Sequence, residues 1–130
     1  MNNRQWTIFE GRPFRRDSKG EIRVTIQTKG VIFLNRTAYE LIGQPAAVEL
    51  RYDGNRRIVG LKPIDPRRPN AFPIKMNGRT HYRTISAAAF FQHIRLRFEG
   101  TNLVRDADFT PEGILELPLD TLTTITRGAR

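Results

Sequence analysis

Apolar and polar residues alternate in several short stretches of the first half of the chain, and this pattern predicts β-strands. In the first stretch Ile22, Val24 and Ile26 share one face, because successive side chains of a strand point to opposite faces. A continuous apolar run at 31–34 is typical of a strand that is buried on both faces. Glycine-containing turns separate the predicted strands, which cover residues 21–27, 31–34, 47–52 and 58–61.

Between the second and third strands the sequence predicts one short helix. Asn35 is a suitable N-cap, because its side chain can accept a hydrogen bond from an early helical amide. Ala38, Leu41 and Ile42 are expected to form the buried face of this helix. Gly43 ends it, since glycine adopts the left-handed conformation at a helix C-terminus without steric cost.

The chain divides into five predicted segments. Residues 1–20 are expected to form an N-terminal strand and a basic arm, and residues 21–64 a first half. A linker follows at 65–71, where two prolines stiffen the backbone. A second half covers residues 72–120, and residues 121–130 form a tail.

The second half repeats the order of the first. Asn77-Gly78 predicts a hairpin turn, and Ser86 is the expected N-cap of a helix over residues 87–93. Strands are predicted at 79–84, 95–99 and 114–117. The halves match in pattern, so that Lys29-Gly30 corresponds to Asn77-Gly78, Leu34-Asn35 to Ile85-Ser86, Val48-Glu49-Leu50 to Leu96-Arg97-Phe98, and Val59-Gly60-Leu61 to Leu115-Glu116-Leu117.

The order of elements over residues 23–64 resembles the AbrB/MazE/SpoVT swapped-hairpin domain of prokaryotic DNA-binding regulators. The most specific part of the resemblance is the run GVIFLNRTAYELIG at 30–43. The chain departs from the family pattern at Val31, where the family has arginine, and at Asn35, where it has proline. In the second half Arg79 follows the turn glycine, as the family pattern requires.

The resemblance implies a mainly β fold: a swapped-hairpin or double-psi-like β-barrel with two short helices, built from two similar halves. Family members dimerise and interleave their hairpins, which leaves no strand edge exposed. Two copies in one chain can close such a barrel as a pseudo-dimer, and pairing with a second chain is the alternative. Family members that bind DNA use basic residues of the N-terminal hairpin, which here are Lys29 and Arg79, with Arg23 nearby.

A net charge of +9, from 22 basic and 13 acidic residues, favours a polyanionic partner. The charge is uneven, with +4 over residues 1–30 and +7 over residues 51–83. Duplex DNA is the preferred partner, with Lys29 and Arg79 contacting bases from the hairpin turns. The candidate nucleic-acid-binding residues are Arg12, Arg15, Arg16, Arg23, Lys29, Arg56, Arg57, Arg67, Arg68 and Arg79.

Two other interpretations of the charge stay open. Basic loops can serve only to keep a protein in solution. Alternatively, the chain is a structural or assembly module that docks on a protein or a ribonucleoprotein complex, and a homodimer is also compatible with the pattern.

No catalytic motif is present, so we expect a binding protein and not an enzyme. The absence of cysteine excludes disulfides and thiolate chemistry. His81 and His93 are the only histidines, and neither lies in a metal-binding or nucleophile motif, so no cofactor and no metal are predicted. The sequence has no apolar run near the 20 residues of a membrane helix, and residues 1–6 lack the apolar core of a signal peptide. We therefore expect a cytoplasmic protein without a membrane partner, acting as a transcriptional regulator or an antitoxin-type DNA binder.

Overall fold

Short β-strands and two six-residue helices form the structure, a computed structural model that describes residues 21–78, 80–120 and 122–125. The predicted N-terminal strand and arm at 1–20 and the residues after 125 lie outside the described residues. The helices are α1 (Arg36–Leu41) and α2 (Ala88–His93). The strands are β1 (Val24–Ile26), β2 (Val31–Leu34), β3 (Ala47–Asp53), β4 (Ile58–Pro63), β5 (Phe72–Met76), β6 (Arg83–Ser86), β7 (Thr101–Val104), β8 (Asp108–Phe109), β9 (Leu115–Pro118) and β10 (Leu122–Ile125).

The strands form one antiparallel sheet that curls into a half-barrel. Its strand order is β10-β7-β1-β2-β6-β5-β3-β4-β9-β8. At the two ends of this order, β10 pairs with β7 and β8 pairs with β9. Three residues separate β9 from β10, so the chain holds the facing ends of these strands within about 14 Å. The predicted fold class, mainly β and barrel-like with two short helices, is confirmed at this level.

The strand order is symmetric about its centre. If β1 is exchanged with β5, β2 with β6 and β3 with β7, the central order β7-β1-β2-β6-β5-β3 is the same when it is read from the opposite end. The centre is the β2–β6 pair, where Ile32 lies opposite Ile85 and both side chains are fully buried. Each predicted hairpin therefore pairs with the hairpin of the other half.

The backbone hydrogen bonds around the two helices repeat with a constant shift. Each of the following backbone hydrogen bonds around α1 has a counterpart around α2 in which both residue numbers are higher by 52, so that Ala87 corresponds to Asn35. The bonds Tyr39 N to Asn35 O, Ile42 N to Ala38 O, Gly43 N to Glu40 O and Gln44 N to Tyr39 O recur as Phe91 N to Ala87 O, Ile94 N to Phe90 O, Arg95 N to Gln92 O and Leu96 N to Phe91 O.

A single hydrophobic core takes residues from both predicted halves. Ile26, Ile32 and Leu61 of the first half and Ile85 and Leu115 of the second are fully buried in it. Burying a side chain of this size contributes about 1.5 to 3 kcal/mol. Burial in this shared core therefore helps to hold the two halves together.

The local features predicted around α1 are confirmed except at one position. The Asn35 side chain accepts a hydrogen bond from Ala38 N at 2.9 Å, which makes it the N-cap. Gly43 has a φ of +90° after the helix. Ala38 and Ile42 are buried, but Leu41 is 41% exposed, because this short helix turns only the other two side chains toward the core.

Three predictions for the second half are wrong. The strand predicted at 95–99 is irregular backbone, and β7 starts only at Thr101. Its apolar alternation comes from packing against a helix, since the Phe98 ring lies 4.8 Å from the ring of Phe91 on α2. The strand counterpart of Val48-Glu49-Leu50 in the repeat is therefore not Leu96-Arg97-Phe98.

The other two corrections concern the edges of β6. Ser86 is the last residue of this strand and pairs with Val31, so it cannot cap α2. The N-cap is Ala87, which has no side-chain hydrogen bond to offer. The strand predicted at 79–84 is observed only from Arg83 onward, and residues 80–82 are not part of it. Tyr82 O instead accepts a hydrogen bond from Asn77 N.

Candidate nucleic-acid interface

The β1–β2 turn lies directly against the start of α2. Gly30 has a φ of +82°, and its carbonyl oxygen accepts a hydrogen bond from Ala87 N at 2.9 Å. A Cβ at this glycine would lie only 2.8 Å from the Ala88 Cα, so only glycine allows the approach. Lys29, one of the predicted site residues, is thereby placed beside the second helix with an exposed side chain.

A groove of about 640 Å³ opens between this turn and the chain that follows α2. Its lining includes three exposed cationic side chains, Lys29, Arg95 and Arg97, around an apolar floor formed with Phe91 and Phe98. No carboxylate of the described residues lines the groove. None of the three cations forms a salt bridge with a carboxylate in the described part of the chain. The groove therefore has a positive potential that suits an anion.

Arg56 and Arg57 lie together in the β3–β4 turn, and both have acidic partners. The Arg57 Nε donates to Asp120 Oδ1 at 2.9 Å, and Arg56 lies 3.9 Å from Asp53. Arg57 also has a φ of +54°, which is uncommon for a residue other than glycine. These ion pairs are solvent-exposed, so each contributes about 0 to 1 kcal/mol, but they neutralise part of the charge of the turn.

Arg67 and Arg68 lie in the loop between β4 and β5. Arg67 donates from Nη2 and Nε to the two carboxylate oxygens of Asp65, at 2.8 and 3.2 Å. These hydrogen bonds hold the pKa of the Asp65 carboxyl below its usual value. Arg68 is exposed and makes no salt bridge with the other described residues.

Arg23 precedes β1, and its side chain is exposed. Its backbone amide donates to Asn35 Oδ1 at 3.1 Å, and the Asn35 amide group donates to Glu21 O at 2.7 Å. Asn35 therefore ties the start of β1 to the start of α1, in addition to capping the helix. A proline at this position could not make these side-chain hydrogen bonds, so Asn35 has a structural role here.

Of the predicted site residues, four lie outside the described residues: Arg12, Arg15, Arg16 and Arg79. Among the others, only Lys29 lines the groove; the remaining five lie before β1, in the β3–β4 turn and in the β4–β5 loop. The described residues include 14 Lys and Arg against 11 Asp and Glu, a net charge of +3 out of +9 for the whole chain.

Sequence reasoning missed Arg95 and Arg97. Their alternation with Leu96 and Phe98 indicated the solvent face of a strand, whereas the structure places both at the groove. Arg95 has a φ of +62° and occupies the position after α2 that Gly43 occupies after α1. Aligning the two helices by their spacing of 52 residues would have identified Arg95 as a helix terminus.

The described residues contain no group of three or more histidine, aspartate or glutamate side chains that could hold a metal ion. Neither of the described helices is long and apolar enough to cross a membrane.

Comparison of the chain with known protein families, with curated proteins and with solved structures found no match.

Proposed function

We propose that this chain is a non-catalytic DNA-binding protein whose half-barrel sheet is a swapped-hairpin arrangement formed within one chain. The observation that carries the fold part of this proposal is the symmetric strand order, in which β1–β2 pairs with β6 and β7 and the two helices repeat at a fixed spacing. Such an exchange is what the sequence resemblance to the AbrB/MazE/SpoVT domain implies for a tandem copy. A single chain would then replace the family's dimer.

The DNA-binding part rests on the cations that form no salt bridge with the other described residues. Lys29 lies on a hairpin turn, where the resemblance implies DNA contacts, and it shares the groove with Arg95 and Arg97. Arginine and lysine contacts with phosphates supply most of the affinity in non-specific DNA binding. The chain would act as a transcriptional regulator or as an antitoxin-type DNA binder.

Fluorescence anisotropy tests this proposal. Duplex DNA, single-stranded DNA and RNA of one length and mixed sequence are titrated with the full chain at several salt concentrations. We expect a duplex preference and a log–log salt slope of about −5, which corresponds to five or six neutralised phosphates. Absence of binding at 50 mM salt to all three nucleic acids would overturn the proposal.

Light scattering coupled to size-exclusion chromatography tests the single-chain barrel. We expect a monomer of 15.0 kDa, because the hairpins of the two halves already pair with each other. An obligate dimer would contradict a swapped-hairpin arrangement that is complete within one chain.

A second candidate function is an assembly module that docks on a protein or ribonucleoprotein complex. The observation that favours it is the neutralisation of Arg56, Arg57 and Arg67 by neighbouring carboxylates. In the same anisotropy experiment this candidate predicts either no binding or a preference for RNA over duplex DNA.

A further inference from the structure

We infer that the groove beside α2 binds a backbone phosphate of the nucleic acid, through Lys29, Arg95 and Arg97. This inference rests on the proposed function and assigns one part of the ligand to one place on the barrel. Arg95 and Arg97 belong to no basic run of the sequence, and only the tertiary structure brings them next to Lys29.

The chemistry of the groove fits a phosphodiester. A guanidinium presents a planar fork of donors that matches two phosphate oxygens, and an ammonium adds a compact positive charge. Lys29, Arg95 and Arg97 line one groove that no carboxylate of the described residues lines, so an anion in the groove would be attracted by all three charges. An exposed Gln92 at the rim can add a neutral hydrogen bond.

Two hydrogen bonds brace the walls of the groove. Thr28 Oγ1 donates to Gly100 O at 3.1 Å and ties the β1–β2 turn to the chain after α2. Leu96 N donates to Phe91 O at 2.9 Å and closes the turn that carries Arg95. Preorganised walls reduce the entropy that binding must otherwise remove.

The related surface beside α1 differs in its chemistry. The shift of 52 residues places Gly43 and Pro45 where Arg95 and Arg97 lie beside α2. Two cations of the described residues near α1 already have partners, since Arg36 lies 3.3 Å from His81 Nδ1 and Arg83 lies over the Tyr39 ring at 4.7 Å. We therefore expect this phosphate contact at one end of the pseudo-symmetric barrel.

The test compares two triple variants that remove the same charge. The groove variant is Lys29→Gln with Arg95→Asn and Arg97→Gln; asparagine is chosen at 95 because it tolerates a positive φ. The control variant is Arg51→Gln with Lys62→Gln and Arg105→Gln, three exposed basic residues that lie outside the groove and are not among the candidate nucleic-acid-binding residues. Each variant lowers the net charge by three, and circular dichroism verifies that each is folded.

Both variants are titrated against the same fluorescent duplex across salt. In the groove variant we expect the magnitude of the salt slope to fall by about 2 to 3 and the affinity at 0.1 M salt to fall about tenfold or more. The control variant should lose clearly less on both measures. The single variant Arg97→Gln should lower the slope by about 1, which keeps the test decisive if the triple variant does not fold.

Equal losses in the groove and control variants would overturn this inference, because net charge alone would then explain the binding. Unchanged binding in the groove variant would overturn it as well. In either case the unmodified chain still binds, so the proposed function survives. Absence of binding by the unmodified chain would overturn the proposed function, and this inference with it.

Discussion

Replacing Gly30 with alanine should destabilise the protein by about 2 to 5 kcal/mol. The backbone contributes the first part, since a φ of +82° costs a residue with a Cβ about 1 to 2 kcal/mol. The contact contributes the second part, because the new Cβ would lie 2.8 Å from the Ala88 Cα and 3.1 Å from its nitrogen. These are backbone atoms of α2, so no side-chain rotation relieves the overlap, and forcing the elements apart costs about 1 to 3 kcal/mol.

Gly43→Ala is the matched control. Gly43 has a φ of +90°, yet nothing lies within 4 Å of the Cβ that alanine would add. This variant should lose only the backbone part, about 1 to 2 kcal/mol. The difference between the two variants therefore isolates the contact between the β1–β2 turn and α2.

Urea unfolding followed by circular dichroism measures both losses. In thermal unfolding, each kcal/mol should lower the Tm by about 3 to 6 °C for a chain of this size. Equal losses for Gly30→Ala and Gly43→Ala would refute the reasoning. The turn and α2 would then not be in contact, and the groove between them would not exist as described.

Two further predictions concern other parts of the fold. Asn35→Ala removes a side chain that makes three hydrogen bonds to backbone groups, so unfolding in urea should show a loss of about 1 to 3 kcal/mol; Asn35→Asp keeps the acceptor and should lose less, and equal losses would contradict the capping role. The hydrogen bond from Arg51 holds the pKa of Glu49 below its ordinary 4.5. A carboxylate with a lowered pKa stabilises the fold above its unfolded pKa and loses this effect as the pH falls through its folded pKa. The difference in stability between the unmodified chain and Glu49→Gln should therefore be largest above about pH 5 and shrink below about pH 4 in urea titrations; a difference that stays constant from pH 6 to pH 3 would show that the Glu49 charge is not involved.

Local structure in the first half could be predicted from the sequence because neighbouring residues determine it. The alternation of apolar residues indicated β3 and β4 with the turn between them, and the apolar run indicated β2. Asn35 and Gly43 marked the two ends of α1, since their side chains and backbone act within a few residues of the helix. The mainly β character of the chain follows from these short-range features.

The candidate site was less predictable, because it depends on residues far apart in the chain. Lys29 was identified from its turn, but its neighbours in the groove come from residues 91–98. Arg57 looked like a free cation in the sequence, yet it pairs with Asp120, which is 63 residues away. A charge pattern cannot show which cations already have a partner.

In the first half, the sequence by itself determined where the strands, turns and helix form, since hydrophobic period, glycine positions and an N-cap act over a few residues. Only the tertiary structure decided which strands pair. The pairs β2 with β6 and β4 with β9 join strands that are far apart in the chain, and burial of a shared core, which does not act locally, stabilises them. The alternation of Leu96 and Phe98 with polar residues also needed the tertiary structure for its interpretation. It indicated a strand, but it arises because Phe98 packs against Phe91 and Leu96 packs against the same core. The groove that unites Lys29, Arg95 and Arg97 is a product of that packing.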